Sequence, residues 1–226
     1  MIDLVIFDMD GVLVDSEWLM ARVWSDQLSR HEVDITPRTL IDRFAGQTDM
    51  SMADVIAAES GKNLPRDILD QIRIAARGRL GSELEALDGV DALLREMTHL
   101  RCICSNSAPD RIRQSLAVTG LDKHFAEDRL FSAADVPRPK PAPDLHLHAA
   151  GVLSIAPARA VVIEDSATGV AAARAAGMRV IGFTGATHIG DGHAEKLTAA
   201  GAESICPHMS EIPAHLARLA HLAPPA

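Results

Sequence analysis

Leu4-Val5-Ile6-Phe7-Asp8-Met9-Asp10-Gly11-Val12-Leu13-Val14-Asp15-Ser16 is the stretch from which the rest of the chain is read. Its first four residues are apolar without alternation, as in a strand buried on both faces. Two carboxylates, Asp8 and Asp10, follow at once. Charge at the end of a buried strand is costly unless something compensates it. A hard divalent cation with oxygen ligands would relieve the repulsion, and Gly11 permits an abrupt turn after the pair. D-x-D also occurs in solvated loops, so the pair gains its meaning from the other strand ends.

Further short apolar runs occur at 102–104, 160–163 and 180–183, with a weaker one around Ile205. Stretches of helical composition at 91–97, 109–118, 144–150 and 168–176 separate them, and Gly177 sits where a C-terminal cap would. Such alternation predicts an α/β fold, a doubly wound, Rossmann-like parallel sheet with right-handed crossovers. Residues 16–87 break the rhythm. They hold no convincing strand and read as helices punctuated near Pro37, Gly46, Gly61 and Pro65. The expected organisation is therefore a core of residues 1–15 and 88–226 with an inserted all-helical cap over 16–87, above the sheet edge where open α/β sheets bind ligands. The final Ala-Pro-Pro-Ala reads as a frayed tail.

The chain has 226 residues, 47% hydrophobic and 23% charged, enough for a sizeable core. Its net charge of −9 gives no general basic field, which argues against nucleic acid as a partner. An anionic substrate must then be held by local cations, backbone N–H groups or a metal. Cys102, Cys104 and Cys206 read as buried reduced thiols. Asp3, Asp8 and Asp10 interrupt any leader-like apolar start, and no run reaches the roughly 20 apolar residues of a membrane span. A cytoplasmic protein without a membrane partner is the expectation.

Three more clusters close predicted strands. Glu164-Asp165 follows 160–163 as Asp8 and Asp10 follow the first strand, with Ser166 or Thr168 available to cap the next helix. If the two strands are neighbours, several carboxylates converge on one cation. The bland alternative is that the acidic pair merely favours a helix N-terminus. Ser105-Asn106-Ser107 precedes Pro109, a suitable first helical residue, and such a start offers N–H groups to phosphate. Lys140 lies between prolines in Arg138-Pro139-Lys140-Pro141-Ala142-Pro143-Asp144, and its point charge could neutralise phosphate.

In this order the four clusters resemble the motifs of the haloacid dehalogenase superfamily, and the resemblance covers nearly the whole chain. The insertion after the first motif resembles the helical cap of the β-phosphoglucomutase-like subgroup, which includes sugar-phosphate phosphatases. The resemblance implies that Asp8 attacks phosphorus to form an aspartyl-phosphate while Asp10 serves as acid and then base. It implies Mg²⁺ held by Asp8, the Asp10 carbonyl and Asp165, with Glu164 holding water on the ion. Ser105, Asn106 and Lys140 would hold the phosphoryl oxygens, and Asp144 would orient Lys140.

Asp10 and the Glu164-Asp165 pair depart from the metal-free dehalogenases and imply phosphoryl transfer to or from a small phosphorylated metabolite. A phosphosugar mutase of the β-phosphoglucomutase type is the first alternative. Its pattern has a Ser-Lys pair where this chain has Ser107-Ala108, and a cap histidine where Met20 stands. Both departures favour water as final acceptor. A receiver-like signalling module that keeps its phospho-aspartate is the alternative from another class, opposed by the chain length, the insertion and Asp10. In the cap, Arg43-Phe44-Ala45-Gly46-Gln47-Thr48 resembles the family's substrate-facing loop, with Arg43, Gly46 and Gln47 as specificity candidates. Residues 80–87 and 125–131 resemble those of bacterial 6-phosphogluconate phosphatases. Arg73, Arg77 and Arg79 read as a solvated helix face, Trp18 and Trp24 as cap core, and His188 and His193 as residues of a glycine-containing loop.

Overall fold

The computed structural model describes residues 1–44 and 49–221. Its chain divides into two compact units, residues 1–15 with 85–226 and residues 16–84. The second ends three residues before the boundary expected at 87. The returning chain has already paired with the outgoing one there: Asp15 N donates to Glu85 O at 3.0 Å and Leu87 N to Leu13 O at 3.0 Å.

The larger unit is built on a six-stranded parallel sheet in the order β3-β2-β1-β4-β5-β6. Its strands are β1 (Leu4–Phe7), β2 (Leu100–Ser105), β3 (Leu130–Ser132), β4 (Ala160–Glu164), β5 (Arg179–Phe183) and β6 (Ser204–Cys206). All four β1 residues are fully buried, as their unbroken apolar run predicts. Leu4 and Ile6 join Cys102, Cys104, Val162, Val180, Leu145 and Val170 in one cluster. Phe7 points the other way, edge-on to Phe125 at 6.3 Å between ring centroids. Each such side chain contributes roughly 1.5–3 kcal/mol by leaving water.

Helices α5 (Val90–Glu96), α6 (Pro109–Thr119), α7 (Asp144–Val152), α8 (Ala167–Ala175), α9 (His193–Ala200) and α10 (Ile212–Ala220) belong to this unit. The strand order reverses at β1, which has β2 on one side and β4 on the other. Phe7 is level with both Ile103 and Ile163, so the residues just beyond β1, β2 and β4 emerge together at the sheet's C-terminal edge. That is the switch point at which open α/β sheets bind ligands.

The smaller unit holds α1 (Ser16–Ser29), α2 (Pro37–Phe44), α3 (Asp49–Ser60) and α4 (Ile68–Glu83). Ile68, Ile72, Ala76 and Leu80 form one buried stripe along α4, and Trp24 is buried on α1 while Trp18 is half-buried. Arg79 is tied to Glu83 and Asp26 within this unit, and exposed Arg73 to Asp70.

β3, α9 and α10 were not among the elements expected from sequence. β3 has three residues between two 3-10 turns, too few to display a period. His193 opens α9 directly after Gly192, which takes the left-handed conformation at φ 76° and ends the glycine-containing loop there. No helix among the described residues is long and apolar enough to cross a membrane.

Candidate active site

β1 delivers Asp8, whose amide donates to Ile163 O on β4 at 3.0 Å. The chain then turns through Gly11 at φ 78°, in the region that favours glycine. Space demands glycine as well, since a Cβ there would lie 1.9 Å from Asp165 Oδ2. The first motif and the acidic pair are therefore in close contact.

Lys140 is the hub. Its Nζ lies 2.8 Å from Asp8 Oδ1 and 2.8 Å from Glu164 Oε2, with only 4% of the side chain exposed. Asn106 fixes its backbone reciprocally: Asn106 Nδ2 donates to Lys140 O and Lys140 N to Asn106 Oδ1, both at 3.1 Å. Burial would push the ammonium down, but the Asp8 and Glu164 carboxylates overcome it and hold Lys140 above its ordinary pKa. Asp8 is raised well above the usual carboxylate range by burial and by Glu164, which the Lys140 charge only partly offsets.

Candidate ligand oxygens of Asp8, Glu164 and Asp165 all lie within 4.8 Å of one another. Among the described residues, Lys140 is the one ammonium bound within this cluster of three carboxylates, through Asp8 and Glu164, and the surplus of hard anionic oxygens suits Mg²⁺. The donor set therefore fits the ion.

The two halves of the acidic pair differ in their surroundings. Glu164 is completely buried, and its Oε1 accepts from Ser166 N at 3.0 Å and Ser166 Oγ at 2.7 Å. Ser166 in turn caps α8, its Oγ accepting from Gly169 N at 3.0 Å. Asp165 Oδ2 lies 3.3 Å from His188 Nε2, and the Asp165 carbonyl lies 2.6 Å from His193 Nε2. The two histidines thus brace Asp165, and the His188 side chain is largely buried.

Asp10 is held by residues that sequence reasoning did not assign to the site. Ser107 Oγ donates to its Oδ2 at 2.7 Å and Arg111 Nη2 to its Oδ1 at 2.8 Å. Arg111 stands in the first turn of α6 while Ser107 precedes the Ala108 N-cap, so no helical spacing pairs the two and nothing local in the sequence signalled the contact. Ser105 is buried at the end of β2, its Oγ accepting from Ser107 N at 3.0 Å. Asp144 does not orient Lys140: both of its oxygens accept from Arg138, at 3.0 and 2.8 Å, because α7 aims the carboxylate at that guanidinium.

Asp8, Asp10, Ser105, Asn106, Lys140, Glu164 and Asp165 thus all belong to the larger unit, at or beside the ends of β1, β2 and β4. Arg43 belongs to the helical unit, where it pairs with Glu59 and its guanidinium stacks 4.9 Å from the Phe44 ring centroid. Gly46 and Gln47 lie outside the described residues.

Known proteins resemble the chain over most of its length. A family model described as haloacid dehalogenase-like hydrolase matches residues 5–183. The 6-phosphogluconate phosphatase of Escherichia coli K12 is 32% identical over 83% of this chain and 85% of its own. Hexitol phosphatase B of the same strain is 34% identical over 78% and 81%. Among solved structures, a haloacid dehalogenase-like protein of unknown function from Agrobacterium tumefaciens C58 is 42% identical, with a TM-score of 0.91 over 98% of this chain and 100% of that one. A hydrolase of the same superfamily from Deinococcus radiodurans R1, crystallised with phosphate and sodium, is 33% identical at a TM-score of 0.87 over 99% of both. With its acidic strand ends gathered around Lys140 and its sequence matched over most of its length, the chain belongs to the haloacid dehalogenase-like hydrolase family.

Proposed function

We propose that the chain is a Mg²⁺-dependent phosphatase of sugar phosphates or phospho-sugar acids, acting through an aspartyl-phosphate on Asp8. The observation that carries this reading is the position of Asp8, held by Lys140 at 2.8 Å, with Asp10 two residues beyond it in separate hydrogen bonds. On this reading the more buried carboxylate would serve as nucleophile and the second as acid and base.

Asp8 attacks phosphorus as the substrate's oxygen departs with a proton from Asp10, and Asp10 then takes a proton from the water that releases phosphate. Lys140 balances the charge that spreads over the phosphoryl oxygens, with Ser105 and Asn106 at the neighbouring strand end to position them. Asp8, Asp165 and the Asp10 carbonyl would hold Mg²⁺, which supplies Lewis-acid stabilisation of the transferring group. Glu164, engaged by Lys140 and Ser166, lies in the same carboxylate cluster, where it would hold both the lysine and water on the ion.

The substrate class rests on relatives named 6-phosphogluconate phosphatase and hexitol phosphatase, and it is compatible with a cytoplasmic enzyme of small metabolites. Ala108 and Met20 count against a mutase, and Asp10 with the acidic pair against a dehalogenase. A receiver-like module has no use for a helical insertion.

The test is a Mg²⁺-supplemented screen of 6-phosphogluconate, hexitol phosphates, phosphoglycolate, glucose 1-phosphate and 2-deoxyglucose 6-phosphate, with release of inorganic phosphate as readout. A clear preference in kcat/KM that disappears in Asp8→Asn supports the reading. Activity retained by Asp8→Asn, or a phosphorylated protein that fails to turn over, rejects it.

A further inference from the structure

We propose that Arg111 is the positioning residue for Asp10, holding its carboxyl where both proton transfers at the reacting phosphorus need it. The inference rests on the phosphatase reading and concerns a residue that reading does not require.

Asp10 is gripped through both oxygens, by Arg111 Nη2 on Oδ1 at 2.8 Å and by Ser107 Oγ on Oδ2 at 2.7 Å. Ser107 is itself anchored, its amide donating to Ser105 Oγ at 3.0 Å and its carbonyl accepting from Ser132 Oγ at 2.8 Å. The grip thus runs back to the ends of β2 and β3 and along the first turn of α6. Side-chain exposure is 16% for Asp10 and 32% for Arg111, so the pair is better shielded than an ordinary surface ion pair, and its hydrogen bond is charge-assisted. A carboxyl offers about four lone-pair sites, and bonds to both of its oxygens fix its plane.

Both chemical steps need that fixed plane. In the first, an Asp8 oxygen bonds to phosphorus, the bond from phosphorus to the substrate's oxygen breaks, and that oxygen takes the proton of Asp10. In the second, a water oxygen bonds to phosphorus, the bond to Asp8 breaks, and the water's proton returns to Asp10. The sum is one water and one ester giving one alcohol and inorganic phosphate. An ungripped Asp10 would sweep away from these oxygens, and a displacement of about 1 Å is worth roughly a hundredfold in rate.

Leaving-group dependence separates positioning from mere structural support. A sugar alkoxide needs the proton of Asp10 to depart, whereas p-nitrophenolate does not, and kcat/KM reports the step in which the leaving group departs. In Arg111→Ala, kcat/KM for the best sugar phosphate of the screen should fall about 10- to 100-fold. For p-nitrophenyl phosphate it should stay within about twofold, and Arg111→Lys should recover part of the loss.

Equal losses on both substrates, a raised KM at unchanged kcat, or no loss on either would overturn the proposal. If Arg111→Ala does not fold, Arg111→Lys and Ser107→Ala weaken or remove one bond each and are read by the same ratio. Failure of the phosphatase reading looks different: the wild type then releases no phosphate from any compound, or Asp8→Asn remains active.

Discussion

Replacing Gly169 by alanine should destabilise the core, against the usual trend for a helical glycine. Gly169 lies in α8 without a positive φ, where alanine would ordinarily gain roughly 1 kcal/mol. Here the added Cβ would stand 1.9 Å from Glu164 Oε2, 2.0 Å from its carboxyl carbon and 2.5 Å from Oε1. The carboxylate must then move, although it holds Lys140 Nζ, Ser166 N and Ser166 Oγ. Hydrogen bonds to a charged group are worth roughly 1.5–3 kcal/mol each, so losing two of them against the helical gain leaves a net loss of about 2–5 kcal/mol. For a chain of this size that lowers Tm by about 4 °C or more. Gly151→Ala in α7, with no atom within 4 Å of its added Cβ, is the paired control and should raise Tm slightly. Thermal unfolding followed by circular dichroism in metal-free buffer reads both. A Gly169→Ala protein as stable as Gly151→Ala would mean that Glu164 does not lie against α8, and would refute the reasoning.

The buried His146 has both ring nitrogens without a hydrogen-bond partner, and burial, with the Lys140 charge, holds its pKa well below the ordinary value. The unfolded chain takes up a proton that the folded one refuses, so this contribution is intact above about pH 6.5 and is lost below it, by up to about 1.4 kcal/mol per pH unit. Urea unfolding should show that acid-side slope flattened in His146→Leu, and an unchanged slope would count against it. Mg²⁺ should raise Tm, by about 2.7 kcal/mol of added stability at a hundredfold excess over Kd, and chelation should reverse it. Asp165→Asn should lose most of this shift, whereas an undiminished shift would remove Asp165 from the metal site. Asp10→Asn should lower kcat by at least about a hundredfold while keeping most of the Mg²⁺ shift, because on the proposed reading Asp10 would meet the metal only through its backbone carbonyl. Loss of both together would contradict that division.

Much of the fold was legible because the strands of a parallel sheet are buried on both faces and read as unbroken apolar runs. Phe7-Asp8 and Ile163-Glu164 could be recognised as strand ends from the abrupt change to carboxylates, and their adjacency in the sheet then follows from register. β3 was too short to show a period. α10 did carry one, with Ile212, Leu216 and Leu219 buried at helical spacing, and Pro213 in its first turn suits a helix start, so this helix was legible and was missed. At the site, residue types were readable and partners were not. Lys140 chooses Asp8 and Glu164, 132 and 24 residues away, over Asp144 four residues on, and Arg111 reaches a carboxylate 101 residues distant. The tertiary fold chooses among such contacts, and nothing in a local pattern encodes them. His193 read as a loop residue for a similar reason, since its bond to the Asp165 carbonyl exists only once β4 and α9 are packed in one unit.

The account turns on Asp8 carrying the phosphoryl group. Asp10→Asn should form this species from a substrate with a good leaving group and fail to hydrolyse it, so rapid acid quenching followed by peptide mass spectrometry can find it. The mass of one phosphoryl group should appear on the peptide containing Asp8, be absent when Asp8 is also replaced by asparagine, and disappear on treatment with hydroxylamine. Phosphate released by the wild type with no such adduct at any quench time, or an adduct on another residue, would contradict the account.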